Sequence, residues 1–215
     1  KASGPAPLQR LLSFTRQIML SRQGKRLRAI DLHDIICMIG DCVVAGGVRR
    51  SAMISLSDLG DDQIRDAKKG AFYITHPHRM LANNSAVYIN KPTNEEFLKE
   101  WMALIESRAG ERGIFNRGSL AKTLPERRIK ALREYKGYFD PNGQHIIGPI
   151  GTNPCGEIIL QSKQFCNLSE IVARAEDTEK TLLKKMRIAT ILGTYQSTLT
   201  NFPYLSKEWK EHCDH

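Results

Sequence analysis

The chain has 215 residues, of which 41% are hydrophobic, so it is long enough to enclose a sizeable core in one domain, or in two. Its 32 Lys and Arg against 23 Asp and Glu give a net charge of +9, which suits polyanions, nucleoside triphosphates as readily as nucleic acids. Basic residues alternate with acidic ones in most predicted helices, so solvated helix faces explain most of this charge and do not require a nucleic-acid partner. No stretch approaches the length of a membrane span.

The cysteines argue against a secreted protein. An odd number, 5, does not fit a disulfide scaffold, and a reducing, cytoplasmic setting fits better. No C-x-x-C pair is present, so we predict neither a structural zinc site nor any other metal site. The chain starts at Lys1 and stops abruptly at His215, and we therefore expect residues 1–215 to be a single partial domain of a larger protein.

Predicted helices and strands alternate along the first half of the chain. Apolar spacing predicts a helix over residues 8–22, and Asp31 is a candidate cap for a second helix. The elements that follow are a strand over 51–57, a short helix over 61–69, a strand over 86–90 and a helix over 93–107. Asn83, Asn84 and Ser85 lead into the second of these strands, where they suit nucleotide binding and turn formation almost equally well.

The second half continues the alternation. The predicted elements are a turn and strand within 110–117, basic helices within 119–135, a turn at 140–143, a strand over 158–168 and a long helix over 178–200. The last helix carries apolar residues around much of its circumference, so we expect it to be buried on more than one side. Strands that alternate with helices indicate an α/β architecture.

Residues 45–52 form a segment rich in glycine and arginine between the second helix and the first strand. Its candidate functional residues are Gly46, Gly47, Val48, Arg49, Arg50 and Ser51. Two glycines make the backbone adaptable, and two arginines offer planar donors for phosphate groups or base edges. Considered alone, the segment is as compatible with a turn that carries solvated arginines as with a nucleotide contact.

The most informative stretch is the loop over residues 151–158, with Asn153, Cys155 and Glu157 at alternate positions. Pro154 and Gly156 disfavour a helix here, and in an extended segment alternate side chains point to the same face. An amide, a thiol and a carboxylate would then share one face. The amide can orient a substrate hydroxyl, the carboxylate can take its proton, and the thiol can react at the adjacent carbon.

These motifs resemble those of ribonucleotide reductases, and most closely those of the monomeric, adenosylcobalamin-dependent (class II) ribonucleoside-triphosphate reductases. The resemblance rests on N-P-C-G-E-I followed by F-C-N-L-S-E in residues 153–170, together with earlier stretches in the same order. Those stretches are residues 3–5, 46–52, 83–85 and 110–117. It implies about half of a ten-stranded α/β barrel, with residues 151–158 as the finger loop at its centre and residues 45–52 as the arginine loop.

The resemblance also implies roles for individual residues. Cys155 would become a thiyl radical, generated with adenosylcobalamin, and abstract the hydrogen at C3′ of a ribonucleotide substrate. Glu157 would be the general base for the 3′-hydroxyl, and Asn153 would hold the substrate. Cys166, on the predicted 158–168 strand, would be one of two thiols that end as a disulfide, with a thioredoxin-like protein as reductant. The arginine loop would relay the state of a deoxynucleotide effector site.

Parts of the family's machinery are not expected in this chain. We expect the redox partner of Cys166 to lie upstream, so that Cys42 is structural, and no residue here can be assigned to the cobalamin. Two alternatives remain beside the enzyme. One is a non-catalytic nucleotide-binding piece of a split or decayed reductase, and the other is a basic nucleic-acid-binding domain.

Overall fold

The computed structural model describes residues 4–43 and 51–213 as a mixed α/β structure. The strands are β1 (Met53–Asp58), β2 (Ala82–Tyr88), β3 (Gly113–Asn116), β4 (Ile150–Thr152) and β5 (Ile159–Gln161). The helices are α1 (Ala6–Ser21), α2 (Ala29–Asp41), α3 (Asp62–Arg65), α4 (Phe72–Thr75), α5 (Asn94–Ser107), α6 (Leu120–Thr123), α7 (Glu126–Arg133), α8 (Glu179–Ser197) and α9 (Lys207–Cys213). Short 3-10 helices cover Pro77–Leu81 and Arg117–Ser119. The predicted α/β class is confirmed, and the described residues form no closed barrel.

Three strands form a parallel sheet with β2 in the middle. Parallel neighbours need crossover connections, which α3 and α4 supply between β1 and β2, and α5 between β2 and β3. The sequence starts α5 with a capping box, because Thr93 Oγ1 accepts from the Glu96 amide at 3.2 Å and Glu96 Oε2 accepts from the Thr93 amide at 2.8 Å. The central strand is consequently flanked on both edges and is mostly buried.

A second sheet is the antiparallel hairpin of β4 and β5, which a small core holds in place. Leu132, Ile146 and Ile150 are at most 1% exposed and pack together beside α6 and α7. Burial of each such side chain contributes about 1.5–3 kcal/mol. The Arg117 guanidinium donates to the Ile150 carbonyl at 3.0 Å, which ties β4 to the end of β3. The hairpin is therefore fixed at its base, and its tip extends toward the parallel sheet.

The structure corrects the two strands that carry predicted site residues. The segment Asn83–Ser85 does not lead into a strand but lies within β2. Asn84 is only 2% exposed there, and its side chain contacts His33. The predicted strand over 158–168 is wrong beyond Gln161. Lys163 adopts a positive φ of 62°, and the Gln164 side chain accepts from the Gln161 amide at 2.9 Å, so the strand ends in a turn.

The long helix α8 confirms the predicted element but not its predicted burial. None of its residues is buried, and most of its large apolar side chains are exposed. The exposed set is Leu183, Met186, Ile188, Ile191, Leu192 and Tyr195. Within residues 4–43 and 51–213, nothing packs over this face closely enough to cover it. No helix in the same ranges combines the length and the apolar character needed to cross a membrane.

Candidate active site

The finger loop forms the tip of the β4–β5 hairpin. β4 ends at Thr152 and β5 begins at Ile159, so the residues between them turn rather than continue as a strand. The turn depends on Gly156, whose φ of 89° is strained for residues with a side chain. The Gly156 amide donates to the Asn153 carbonyl at 3.0 Å and closes the turn. The prediction of an extended segment is therefore wrong, although the prediction that a helix is excluded is right.

Of the three candidate residues of the finger loop, Asn153 and Glu157 are in direct contact. Asn153 is buried, and its amide nitrogen donates to Glu157 Oε1 at 2.5 Å. The Asn153 side-chain oxygen accepts from the Ile158 amide at 3.1 Å, so this side chain bridges the two arms of the loop. Glu157 is exposed at the tip. A carboxylate held from behind by an amide, with its remaining lone pairs open to solvent, is suited to accept a proton from a bound hydroxyl.

Cys155 is exposed and is a free thiol. It lines a cleft of about 340 Å³ between the hairpin tip and the amino-terminal ends of β2 and β3. Other residues of the lining are Ile54, Asn83, Ser85, Glu111, Gly113 and Thr152. The lining does not include Asn153 or Glu157. The structure thus places the thiol on the wall of a polar cleft and the amide–carboxylate pair in the adjacent turn.

Sequence reasoning missed the residue that holds the loop tip against the sheet. The Asn83 side-chain nitrogen of β2 donates to the Pro154 carbonyl at 2.6 Å. This contact joins positions 71 residues apart, so no local pattern signals it. The asparagine pair was visible in the sequence as a candidate nucleotide contact, but its link to the loop depends on tertiary structure.

The neighbouring Asn84 is held from two sides. Its side-chain oxygen lies 3.2 Å from His33 Nε2 of α2, and its backbone amide donates to Glu111 Oε2 at 2.6 Å. Glu111 also pairs with Lys68 at 3.0 Å. Residue 111 belongs to a motif of the resemblance to which the sequence assigned no individual role, and the structure shows that it contacts the strand beside the finger loop.

His33 is buried within a polar cluster on α2. Burial by itself lowers the pKa of His33, but its hydrogen bonds to Asp34, Cys37 and Asn84 outweigh burial and raise that pKa from 6.5 to about 9. Burial also tends to raise the pKa of Asp34, but the two bonds from Arg79, both at 2.7 Å, hold it far below its usual range. An imidazolium at neutral pH can donate from one nitrogen to Asp34 and from the other to Asn84.

The raised pKa of His33 makes the free energy of unfolding depend on pH. Because the pKa of His33 is raised in the folded state, its contribution is fully present below about pH 6.5 and is lost as the pH rises through about 9. We expect the free energy of unfolding to fall by about 2–3 kcal/mol between pH 6.5 and pH 9 through this group. Urea unfolding at the two pH values measures it, and the His33→Gln variant, which cannot titrate, should lack this component. Equal losses in both proteins would contradict the assignment.

Cys166 lies in irregular chain after β5 and not on a strand, as a consequence of the turn at Lys163. It is partly exposed and lines a separate cavity of about 600 Å³. Other residues of this cavity are Arg127, Arg128, Phe165, Met186, Thr190 and Cys213. The described residues therefore place Cys155 and Cys166 on the walls of different cavities.

Most of the arginine loop lies outside the described residues. Gly46, Gly47, Val48, Arg49 and Arg50 fall in the undescribed range, and the predicted contact of the arginines with phosphate stays a prediction. Ser51 is described and lies close to Gly40 of α2. A Cβ atom added to Gly40 would be only 3.0 Å from the hydroxyl oxygen of Ser51. The loop therefore ends beside the helix that carries His33.

Comparison with curated proteins identifies relatives among the bacterial reductases. The chain is 35% identical over 173 residues to the adenosylcobalamin-dependent ribonucleoside-triphosphate reductase of Lactobacillus gasseri, an alignment that covers 79% of this chain and 21% of the relative. The protein of the same name from Lacticaseibacillus paracasei is 36% identical over 172 residues, which cover 79% of this chain and 21% of the relative. The one from Lactobacillus leichmannii is 30% identical over 204 residues, which cover 94% of this chain and 25% of the relative.

These matches confirm the resemblance that the motifs indicated. The chain spans about a fifth to a quarter of the length of the curated relatives it matches. No family model matches the chain. No solved structure matches it either.

Proposed function

We propose that this chain is a segment of an adenosylcobalamin-dependent ribonucleoside-triphosphate reductase and that it carries the reacting cysteine of that enzyme. The observation that carries the proposal is the position of Cys155, a free and exposed thiol at the tip of a hairpin, on the wall of a polar cleft. This placement occurs in a chain whose curated relatives all bear that enzyme's name.

Three residues of the finger loop, Asn153, Cys155 and Glu157, have a place in the proposed reaction. As a thiyl radical, Cys155 takes the hydrogen atom from C3′ of the ribonucleotide. Glu157 accepts the proton of the 3′-hydroxyl, and the 2′-hydroxyl takes a proton from one of the two redox thiols and leaves as water. The Cys155 thiol returns its hydrogen atom to C3′ at the end of the reaction. Asn153, which was expected to hold the substrate, is buried and does not line the cleft, so in this proposal it acts on the carboxylate and holds it in the orientation that proton transfer needs. Cys166 and a second thiol then supply two electrons and form a disulfide.

The cofactor's contribution is the radical that Cys155 carries. An exposed thiol fits this role, because it can be reached from outside the loop. We assign no residue to cobalamin binding. Among residues 4–43 and 51–213 there is no group of three His, Cys, Asp or Glu side chains placed to hold a metal ion. The steps above concern only what Asn153, Cys155, Glu157 and Cys166 do to a bound ribonucleotide.

The proposal extends to the architecture and the partners. The parallel sheet would be part of one half of a ten-stranded barrel in a partial domain spanning 1–215. The uncovered apolar face of α8 offers a surface on which further chain can pack. A deoxynucleotide effector acting through the arginine loop, a thioredoxin-like reductant and a cytoplasmic location belong to the same proposal.

The test is a reduction assay with the protein expressed from its complete gene. We expect deoxyribonucleotide to form from ribonucleoside triphosphates when both adenosylcobalamin and a dithiol are supplied, and not when either is omitted. Nucleotide binding without any product would favour the non-catalytic fragment. Binding to DNA near physiological salt with a steep salt dependence, again without product, would favour a nucleic-acid-binding domain.

A further inference from the structure

We propose that Asn83 is a positioning residue that sets the direction of the Cys155 thiol by holding the peptide unit in front of it. The inference rests on the proposed function and adds to it a residue from outside the finger loop. Asn83 lies on β2, donates to the Pro154 carbonyl at 2.6 Å and lines the same cleft as Cys155.

The geometry of the peptide bond explains why a contact to residue 154 controls residue 155. The Pro154 carbonyl and the Cys155 nitrogen belong to one planar unit, so fixing the carbonyl direction also fixes where the Cys155 backbone begins. Rotation about the Cys155 N–Cα bond is limited by the turn that the hydrogen bond from the Gly156 amide to the Asn153 carbonyl closes, so side-chain rotation is the main freedom that Cys155 keeps. A donor placed on this carbonyl can therefore aim the thiol without touching it.

Among residues 4–43 and 51–213, the remaining hydrogen bonds of the loop fix its shape but not its position. Asn153 bonds to Gly156, Glu157 and Ile158, all within the hairpin. Such bonds define the shape of the loop but do not tie its tip to the sheet, and we expect them to open more often in a loop whose tip is no longer tied. The bond from Asn83 differs because it joins the tip to another element, and it does so at the residue beside the reacting cysteine.

The strand that presents Asn83 is itself well anchored. β2 pairs with a parallel strand on each edge. The next residue, Asn84, is held by His33 through its side chain and by Glu111 through its backbone amide. A donor on such a backbone can return a displaced loop to a single position. The polar pair near the amino-terminal end of a mostly buried strand is explained in this way, with Asn84 fixing the strand and Asn83 fixing the loop.

The decisive variant is Asn83→Asp, which keeps the shape of the side chain but replaces the donor with a carboxylate that repels the Pro154 carbonyl. Displacing a reacting group by about 1 Å lowers a rate by about 100-fold. We therefore expect kcat to fall by about 10- to 100-fold, with KM changed by less than about 3-fold. Asn83→Gln retains an amide donor and should keep more activity than Asn83→Asp. The matched control is Asn90→Asp, the same change at an exposed position beyond β2, which should behave as wild type.

A second readout does not depend on activity. In the protein expressed from its complete gene, hydrogen exchange of the Gly156 and Ile158 amides should become faster in Asn83→Asp, whereas exchange of α5 amides should not change. Unchanged loop exchange overturns the inference, whether or not activity falls, and so does a wild-type kcat in a variant with a loosened loop. Faster loop exchange in a protein whose wild-type form reduces no ribonucleotide supports Asn83 as the anchor of the loop and rejects the proposed function.

Discussion

Replacing Cys155 with serine is expected to lower ribonucleotide reduction by at least about 1000-fold while leaving the fold intact. Serine has nearly the same shape, but its O–H bond is much stronger than the S–H bond of cysteine, so it cannot readily form or carry the radical. Because residue 155 lies exposed at a hairpin tip, the change removes no core packing. The measurement is the rate of deoxyribonucleotide formation by the protein expressed from its complete gene.

The matched control for this experiment is Cys42→Ser. The Cys42 thiol donates to the Pro7 carbonyl at 3.4 Å, a bond that a serine hydroxyl can also make. We expect this variant to keep wild-type activity, in agreement with the prediction that Cys42 is structural. Turnover at the wild-type rate in Cys155→Ser would contradict the role of Cys155, since the control removes the general effect of losing a cysteine.

Replacing Arg112 with leucine is expected to destabilise the protein by about 3–5 kcal/mol. The side chains of Arg112 and Glu100 are 4% and 8% exposed and pair at 2.7 Å. Arg112 also donates to the Ser57 hydroxyl at 2.6 Å and to the Asp58 carbonyl at 3.1 Å, and so joins α5 to the end of β1. Removing the arginine leaves a buried carboxylate whose next cation, Arg65, is 4.0 Å away. The measurement is the free energy of urea unfolding.

Two further variants separate the charge from other effects of this substitution. Lys69 and Glu106 pair at 2.7 Å, but both side chains are 51% exposed, so Lys69→Leu should cost much less stability than Arg112→Leu. The double variant Arg112→Leu/Glu100→Leu removes both charges and should recover most of the lost stability. If Arg112→Leu costs no more than Lys69→Leu, the buried pair does not hold α5 to the sheet.

The sequence predicted those elements whose causes are local. The capping box at Thr93 and the apolar spacing of α1 and α5 lie within a few residues of the helices they specify, and these helices were placed nearly correctly. The turn around Gly156 was also predicted as a break in regular structure. The directions of the side chains in this turn were predicted wrongly. The prediction placed residues 153, 155 and 157 on one face of an extended segment and overlooked the positive φ of Gly156.

The strand errors have a common physical cause. Asn83 and Asn84 have a composition typical of turns, yet they lie in β2 because tertiary partners satisfy their polar groups. Conversely, the apolar residues after Gln161 suggested a longer strand, which a turn at Lys163 ends. This turn is also contacted from α9, because the Gln164 side-chain nitrogen donates to the His212 carbonyl at 2.5 Å and the Cys213 thiol donates to the Lys163 carbonyl at 3.6 Å. In both cases contacts distant in sequence overrode local preference.

The candidate site likewise has a part that local sequence predicts and a part that depends on contacts distant in sequence. The motif around Cys155 identified the thiol, the amide and the carboxylate from residue types alone, and the resemblance assigned their roles. The supporting residues Asn83, Glu111 and His33 could not be found in this way, because each acts through a contact between separate elements. The cleft also lies at the amino ends of β2 and β3, whereas the usual rule for open parallel sheets points to the carboxyl ends.

The most direct test of the central claim, that Cys155 removes a hydrogen atom from C3′, is a competition between ribonucleotides that carry hydrogen or deuterium at that carbon. The protein expressed from its complete gene is supplied with the mixture, and the isotope ratio of the unreacted nucleotide is followed by mass spectrometry. We expect the remaining ribonucleotide to become enriched in deuterium as the reaction proceeds, because the C3′–deuterium bond breaks more slowly. Formation of deoxyribonucleotide with no enrichment would contradict the proposed role of the hairpin-tip thiol.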